Sequence, residues 1–370
     1  MSGDDGNDHR RGRFGSHRGG RVLVSEGQFE WISVSDWSLR IRGPGFRLSC
    51  PEATAKAFRS MRTHYIPDSR NHDRWNNGLT PVTEIDSGDG VVMDCLDSSG
   101  AQMTPSSTVA DFAAMDRGRI HTITGPVFVK GALPGDVLQI DILRIEHKGW
   151  GWTSIIQGLG SLPERFPSPH LFLWKLEKDF TDSLAPARVP LAPFLGIVGV
   201  APKESGEHRT RPPGPFGGNL DVKNLLPGAT LYLPVFNEGA LFSAGDGHAA
   251  QGDGEVCING IEGPMQAEFR LTVRKDLRID EPFADLPPRP PTVGDRGSWA
   301  FIASAPHALD AAKNVIHHAI DFLVDRFGLT PELAYTLCSV TLDLRLSQIV
   351  NTPMITVTGT LAKNLFPPHP

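Results

Sequence analysis

Short apolar runs alternating with polar positions dominate the chain from about residue 21 to 150. Val22–Val24, Val91–Cys95, Val127–Val129 and Val137–Leu143 are rich in β-branched residues and sit between turn signals, which predicts strands with one buried face. The clearest turns are Ser87-Gly88-Asp89-Gly90 and Pro134-Gly135-Asp136. Three phrases are alike: Ile85-Asp86-Ser87-Gly88-Asp89, Ala132-Leu133-Pro134-Gly135-Asp136 and Leu225-Leu226-Pro227-Gly228-Ala229. Each is expected to launch a strand, a weak sign of related β-units. Residues 151–220 read as loop-rich, since Arg209–Gly218 is too dense in Pro and Gly for regular structure, and such loops often carry function. Residues 229–275 return to strands, and Pro287–Pro291 reads as a stiff spacer.

Near the C-terminus the period changes. Asp310–Phe327 sets Ala311, Val315, Ala319, Phe322, Leu323 and Phe327 on one face, which predicts an amphipathic helix. Gly328 fits its C′ position, and Thr330-Pro331-Glu332 opens a second helix expected to run to about Leu346. The fold class expected is α+β: predominantly β, in sandwich-like β units, with a few helices concentrated in the C-terminal part. The organisation read from these shifts is a disordered tail (1–20), an N-terminal β-rich region (21–150), a loop-rich pocket-shaping segment (151–220), a β-rich region carrying the chemistry (221–290) and an α/β C-terminal region (291–370).

Composition narrows the function classes. With 39 Gly and 31 Pro in 370 residues, the chain has many turns and few long helices. A net charge of −6 argues against nucleic acid as a partner. No apolar run reaches the length of about 18 residues that a membrane span needs. The first twenty residues lack the apolar core of a secretory signal. The four cysteines are far apart and form no C-x-x-C pair, so they read as reduced thiols in a cytoplasmic protein. Cys95 and Cys257 read as small buried hydrophobes in strands.

The densest chemistry lies in Gly245–Glu255, where glycines separate Asp246, His248, Gln251, Asp253 and Glu255. Asp246 and His248 are two apart, as are Asp253 and Glu255, so each pair converges on an extended chain. Carboxylate plus imidazole suits a divalent metal, and a carboxylate beside such a metal can be a general base. Spacing alone leaves a Gly-Asp-rich surface loop equally open. Phe216–Asp221 ends in Asn219 and Asp221, and Asp94-Cys95-Leu96-Asp97 puts two carboxylates in an apolar run. Each of these pieces alone reads more readily as a turn cap or a strand-end carboxylate, and His72 and His121 alone as structural histidines. No G-x-S-x-G elbow, Walker A loop or G-x-G-x-x-G fingerprint occurs.

These phrases together resemble the acetamidase/formamidase family. The resemblance is carried by His72-Asp73-Arg74-Trp75, Asp94-Cys95-Leu96-Asp97 with Gly100 and Gln102, and His121–Asp136 (HTITGPVFVKGALPGD). It continues in Trp150-Gly151-Trp152, Gly217–Asp221, Glu238–Glu255 (EGALFSAGDGHAAQGDGE), Leu337-Cys338-Ser339 and Leu346–Val350, in order over about residues 64–365. Asp94 stands where the family often has Glu, Leu220 where Met or Cys is usual, and residues 151–215 match poorly. The resemblance implies hydrolysis of a short linear amide, of acetamide or formamide type, to a carboxylate and ammonia. It also implies a bound divalent metal, zinc in the first place and calcium or another ion otherwise, and a homo-oligomer. Asp97, Asn219, Asp221, Asp246, His248 and Glu255 are the matching polar positions. On this footing Asp221, Asp246 and His248, with Asp97 or His121, are expected to hold the ion. Glu255, with Asp253 nearby, is expected to move protons, and Asn219 and Gln251 to orient the amide. The partners expected are a small amide, with no nucleic acid and no membrane. A same-family hydrolase of a larger or cyclic amide, and a non-catalytic small-molecule binder, are the competing expectations.

Overall fold

The computed structural model describes residues 61–370 except 161–166, 184–188, 253–254, 256, 288–296, 330–341, 364–365 and 367–370. The expected tail, Val22–Val24, Pro288–Pro291, Asp253 and the start of the second helix lie outside the described residues. Among the described residues strands dominate, and the one long helix is Ala308–Phe327. Predominantly β with few helices is therefore the observed class.

Two sheets face each other. The larger has nine strands in the spatial order Thr63–Ile66, Gly90–Cys95, Met265–Arg274, Val137–His147, Thr230–Pro234, Phe283–Leu286, Ser298–Ala305, Ile355–Ala362 and Asp343–Gln348. The smaller runs Gly217–Asn219, Phe194–Gly199, Phe242–His248, Ile123–Val129 and Asn71–His72, with Thr83–Ile85 also on Ile123–Val129. Both contribute to one buried core: Met93, Leu138, Ile140 and Phe269 from the larger, Val127, Leu195, Val198 and Phe242 from the smaller. Phe242 meets Phe269 edge-on across it, ring centres 5.5 Å apart.

The three similar phrases share one turn. Asp89 N–H donates to Asp86 O, Asp136 N–H to Leu133 O and Ala229 N–H to Leu226 O, at 3.1, 3.0 and 2.9 Å. The third residue is Gly88, Gly135 or Gly228, with φ of 94°, 90° and 94°, which glycine alone adopts without strain. In the first two the closing aspartate also accepts from the first residue's N–H, Asp86 to Asp89 and Leu133 to Asp136. All three turns lead into strands of the larger sheet.

Ala308–Phe327 packs on the far end of that sheet. Ala311, Val315, Ala319 and Leu323 are buried against Trp299, Phe301, Val357 and Leu361, with Phe322 and Phe327 packed around them. Gly328 closes the helix at φ 65°. Two readings are corrected. The second helix does not reach Leu346, because Asp343–Gln348 is an edge strand on Ile355–Ala362. Leu344 and Leu346 alternate with Asp343 and Arg345, a period of two that the helix reading overlooked. Residues 151–220 are not simply loop: Trp150–Ile155, His170–Lys175 and Phe194–Gly199 are strands. Phe194–Gly199 is buried on both faces, so it shows no alternation to read.

Gly135→Ala forces an alanine into the left-handed region although nothing lies within 4 Å of the added methyl. We expect a loss of about 1–2 kcal/mol in a urea melt at unchanged m value; an unchanged midpoint would show that this turn tolerates any residue.

Candidate active site

The smaller sheet builds the site around a glycine. Phe194–Gly199 lies between Gly217–Asn219 and Phe242–His248, which brings Gly196 beside Asp221 on one side and Asp246 on the other. Gly196 O accepts the N–H groups of both Leu220 and Asp221. A Cβ on Gly196 would strike Asp221 Oδ1 and come within 2.7 Å of Asp246 Oδ2 and 2.8 Å of His248 Cε1. The glycine thus leaves the space that the polar side chains occupy. Asp221, Asp246 and Glu255 all have left-handed backbones, with φ of 51°, 60° and 48°. Such strain in non-glycine residues gathers where a site demands a particular side-chain direction.

His248 is the hub. Its ring stacks on Phe194 at 4.9 Å, and Nδ1 donates to Asp246 O at 2.9 Å. That bond aims Nε2 at three carboxylates. Glu262 Oε1 is 2.9 Å from Nε2, Glu255 Oε1 3.5 Å and Asp221 Oδ1 3.9 Å. Asp221, His248 and Glu255 form one set with ligand atoms within 4.8 Å of one another, and Asp246, His248 and Glu262 form another. His248 and Glu262 are each 1% exposed, and Asp221 and Asp246 2%. Asp221 Oδ1, Asp246 Oδ1, His248 Nε2, Glu255 Oε2 and Glu262 Oε2 are buried without a hydrogen-bond partner. Unpartnered buried acceptors crowded together fit a cation, which would satisfy them at once.

The electrostatics agree. Burial, then the neighbouring carboxylate charges, push the Asp246 and Glu255 carboxyls well above the usual range. Burial also pushes Asp221 up, to about 6. Burial opposes a charge on His248, but Glu262 and Asp246 outweigh it and raise the imidazole well above its ordinary value. Burial acts on Glu262 too, yet His248 holds it below the usual carboxylate range. The cluster therefore retains protons that a cation would displace.

Glu262 was not anticipated. It bridges two strands, exchanging backbone hydrogen bonds with Trp152 at 2.7 and 2.8 Å and lying opposite His248. The only sequence signal was a carboxylate in the glycine-flanked Gly260-Ile261-Glu262-Gly263. Asn351 was also missed; its Nδ2 donates to Asp221 Oδ2 and leaves Oδ1 for the centre. Asp97 is buried beside the cluster but its oxygens accept from Ser99 Oγ, Ala101 N and Trp152 Nε1. It positions Trp152 and is not in either converging set. His121 lines the cavity with Nδ1 unpartnered, and burial lowers its imidazole to about 4. Asn219 lines the cavity with Oδ1 unpartnered. Gln251 Nε2 instead donates to Asp221 O at 3.1 Å, steadying that backbone. His72 is structural, donating to Arg74 O and meeting Ser243 Oγ. Asp94 is held by Tyr65, Lys148 and Gln266. Cys95 is buried at a strand end and its thiol is pushed up to about 12 by burial, so it is no nucleophile. Cys257 is half-buried in a turn and not in a strand.

The cluster forms the polar floor of a cavity of about 220 Å³. Fold and site together define a β-rich protein with a buried carboxylate–imidazole centre opening into a small-molecule cavity. The chain belongs to the Acetamidase/Formamidase family, whose profile matches residues 60–207 and 204–367. It is 26% identical to a formamidase of Methylophilus methylotrophus over 367 residues, 81% of this chain and 90% of the relative. The crystal structure of an acetamidase from Bacillus halodurans matches at TM-score 0.76 and 34% identity, covering 82% of this chain and 98% of that one. An acetamidase structure from Yersinia enterocolitica matches at TM-score 0.75 and 26% identity, covering 84% and 95%.

Two outcomes are expected. Gly196→Ala should displace Asp221, Asp246 and His248 and weaken metal affinity about 10–100-fold, read by metal titration with the circular dichroism spectrum unchanged. The second concerns pH. A carboxyl whose folded pKa is raised, as for Asp221 at about 6, lends stability below its unfolded value and loses it as pH rises through the folded one. The Tm gap between metal-loaded and chelator-stripped protein should therefore widen from about pH 5 to about pH 8. A constant gap would show that the cluster holds no displaceable protons.

Proposed function

We propose that this chain hydrolyses the C–N bond of short linear amides, releasing a carboxylate and ammonia, with water activated beside a divalent cation. The observation that carries the reading is the set of five buried, unpartnered donor atoms on Asp221, Asp246, His248, Glu255 and Glu262 at the floor of the cavity. Family membership supports the reaction class. Asp221, Asp246, His248 and Glu262 would hold the ion, and zinc suits one imidazole nitrogen among carboxylate oxygens. When bound, the ion supplies positive charge that acidifies a water and polarises the amide oxygen. Glu255 sits on the loop after the strand, and its raised carboxyl suits a group that both takes and gives a proton near neutrality. It accepts a proton as the water oxygen bonds to the carbonyl carbon, and returns it to the nitrogen as the C–N bond breaks. Asn219 Oδ1 accepts from the substrate's amide N–H. Trp152 and Asp97 brace the wall beside Glu262.

A cytoplasmic homo-oligomer belongs to the same reading. The free thiols of Cys95 and Cys257 suit a reducing compartment, and exposed Leu344 and Leu346 on the edge strand suit a contact between copies. Dialysis against a chelator should abolish ammonia release from formamide and acetamide, and zinc should restore it. Glu255→Gln should keep full metal content while kcat falls about 10²-fold or more; undiminished turnover in that variant would remove Glu255 from the proton path.

A further inference from the structure

The cavity is chemically lopsided. Its floor is the acidic cluster, while Met115, Ile120, Trp152, Ile156 and Leu159 give it an apolar wall. Three arginines also line it, exposed Arg117 and Arg209 and half-buried Arg211. Each is set by backbone structure. Arg117 opens the short 3-10 turn Arg117–Arg119, its guanidinium 6.0 Å from the centre of the Phe112 ring. Arg209 lies in the strand His208–Arg209, opposite Arg74. Half-buried Arg211 donates from Nη2 to Val350 O at 2.9 Å.

Among the described residues none of the three pairs with a carboxylate, whereas Arg144, Arg270 and Arg274 each do. Glu255 acts on Arg211 only through its field. In a chain of net charge −6, three guanidiniums around one cavity with no carboxylate of their own are a receiving surface for an anion. The volume points the same way. A cavity of about 220 Å³ is larger than an amide of three heavy atoms needs.

We propose that the substrate is an amide whose acyl chain ends in a carboxylate, a monoamide of a short dicarboxylic acid, with Arg211 and its neighbour Arg209 receiving the carboxylate and Arg117 adding positive charge to the same lining. This rests on the amidase reading above. The amide reaches the floor, the methylenes lie along the Trp152 and Ile156 wall, and the free carboxylate meets the guanidiniums.

The test compares ammonia release from the monoamide of succinic acid with release from butyramide, which has the same chain length without the charge. The metal-loaded wild-type protein should favour the acid in kcat/KM by about 10–100-fold, the worth of a charge-assisted hydrogen bond. The preference should shrink as salt is raised. Arg211→Gln should bring the ratio of the two substrates close to one, and Arg209→Gln should lower it part of the way. Should either variant fail to fold, inhibition of wild-type butyramide hydrolysis settles the matter, succinate being expected to inhibit about 10–100-fold more tightly than butyrate. Butyramide hydrolysed as well as or better than the acid by the wild type, or succinate inhibiting no better than butyrate, would overturn the inference and leave the amidase reading intact. Release of ammonia from neither substrate, nor from formamide or acetamide, would overturn the amidase reading itself.

Discussion

One imidazole nitrogen governs this structure. Tying His248 Nδ1 to the Asp246 carbonyl turns Nε2 towards Asp221, Glu255 and Glu262. Carboxylates crowded around one point repel one another, and burial removes the water that would screen them. The arrangement is stable only with positive charge in its midst, as protons or as a metal ion. Much of the smaller sheet is arranged to hold that repulsion still. Gly196 yields its side-chain volume, three carboxylates accept left-handed backbones, and Phe194 pins the imidazole face. A fold with one continuous core behind these strands can bear such local costs, about 1–2 kcal/mol for each left-handed residue, without losing its shape.

What the chain announced in advance follows from how local each signal was. Turn phrases such as Leu133-Pro134-Gly135-Asp136 act within four residues, so their geometry was legible. The helix Ala308–Phe327 was legible because its apolar period runs unbroken for five turns. Asp246 and His248 stood out because they share a strand. Glu262 did not, since it meets His248 only through a bridge between two segments and carries no motif of its own. Asn351 lies 130 residues from the Asp221 it holds, a pairing no local pattern reveals. Asp97 shows the reverse: a carboxylate in an apolar run looks like a ligand, but two local donors, Ser99 and Ala101, and the distant Trp152 use its oxygens. The buried strand Phe194–Gly199 escaped for want of alternation, and with it went the glycine on which the site is built.

The C-terminal sheet extension is part of the site. Gln348 Oε1 accepts the N–H groups of Val350 and Asn351 and so fixes the bend after the edge strand. From that bend Asn351 reaches Asp221, and Val350 O holds Arg211. The same few residues therefore orient the Asp221 carboxylate and the Arg211 guanidinium that line the same cavity. Ser347 and Thr358 join their hydroxyls where this strand meets its neighbour, and Ser304 joins Thr356 one strand further in. These contacts lock the bend to the sheet on which Ala308–Phe327 packs. Helix burial, sheet register and the bend that carries Val350 and Asn351 are consequently connected. A small shift of the edge strand would move Asn351 and Val350 together, changing the free direction of Asp221 and the reach of Arg211 at once. The direction of the Asp221 carboxylate and the placement of the Arg211 guanidinium thus both depend on the C-terminal strand pair.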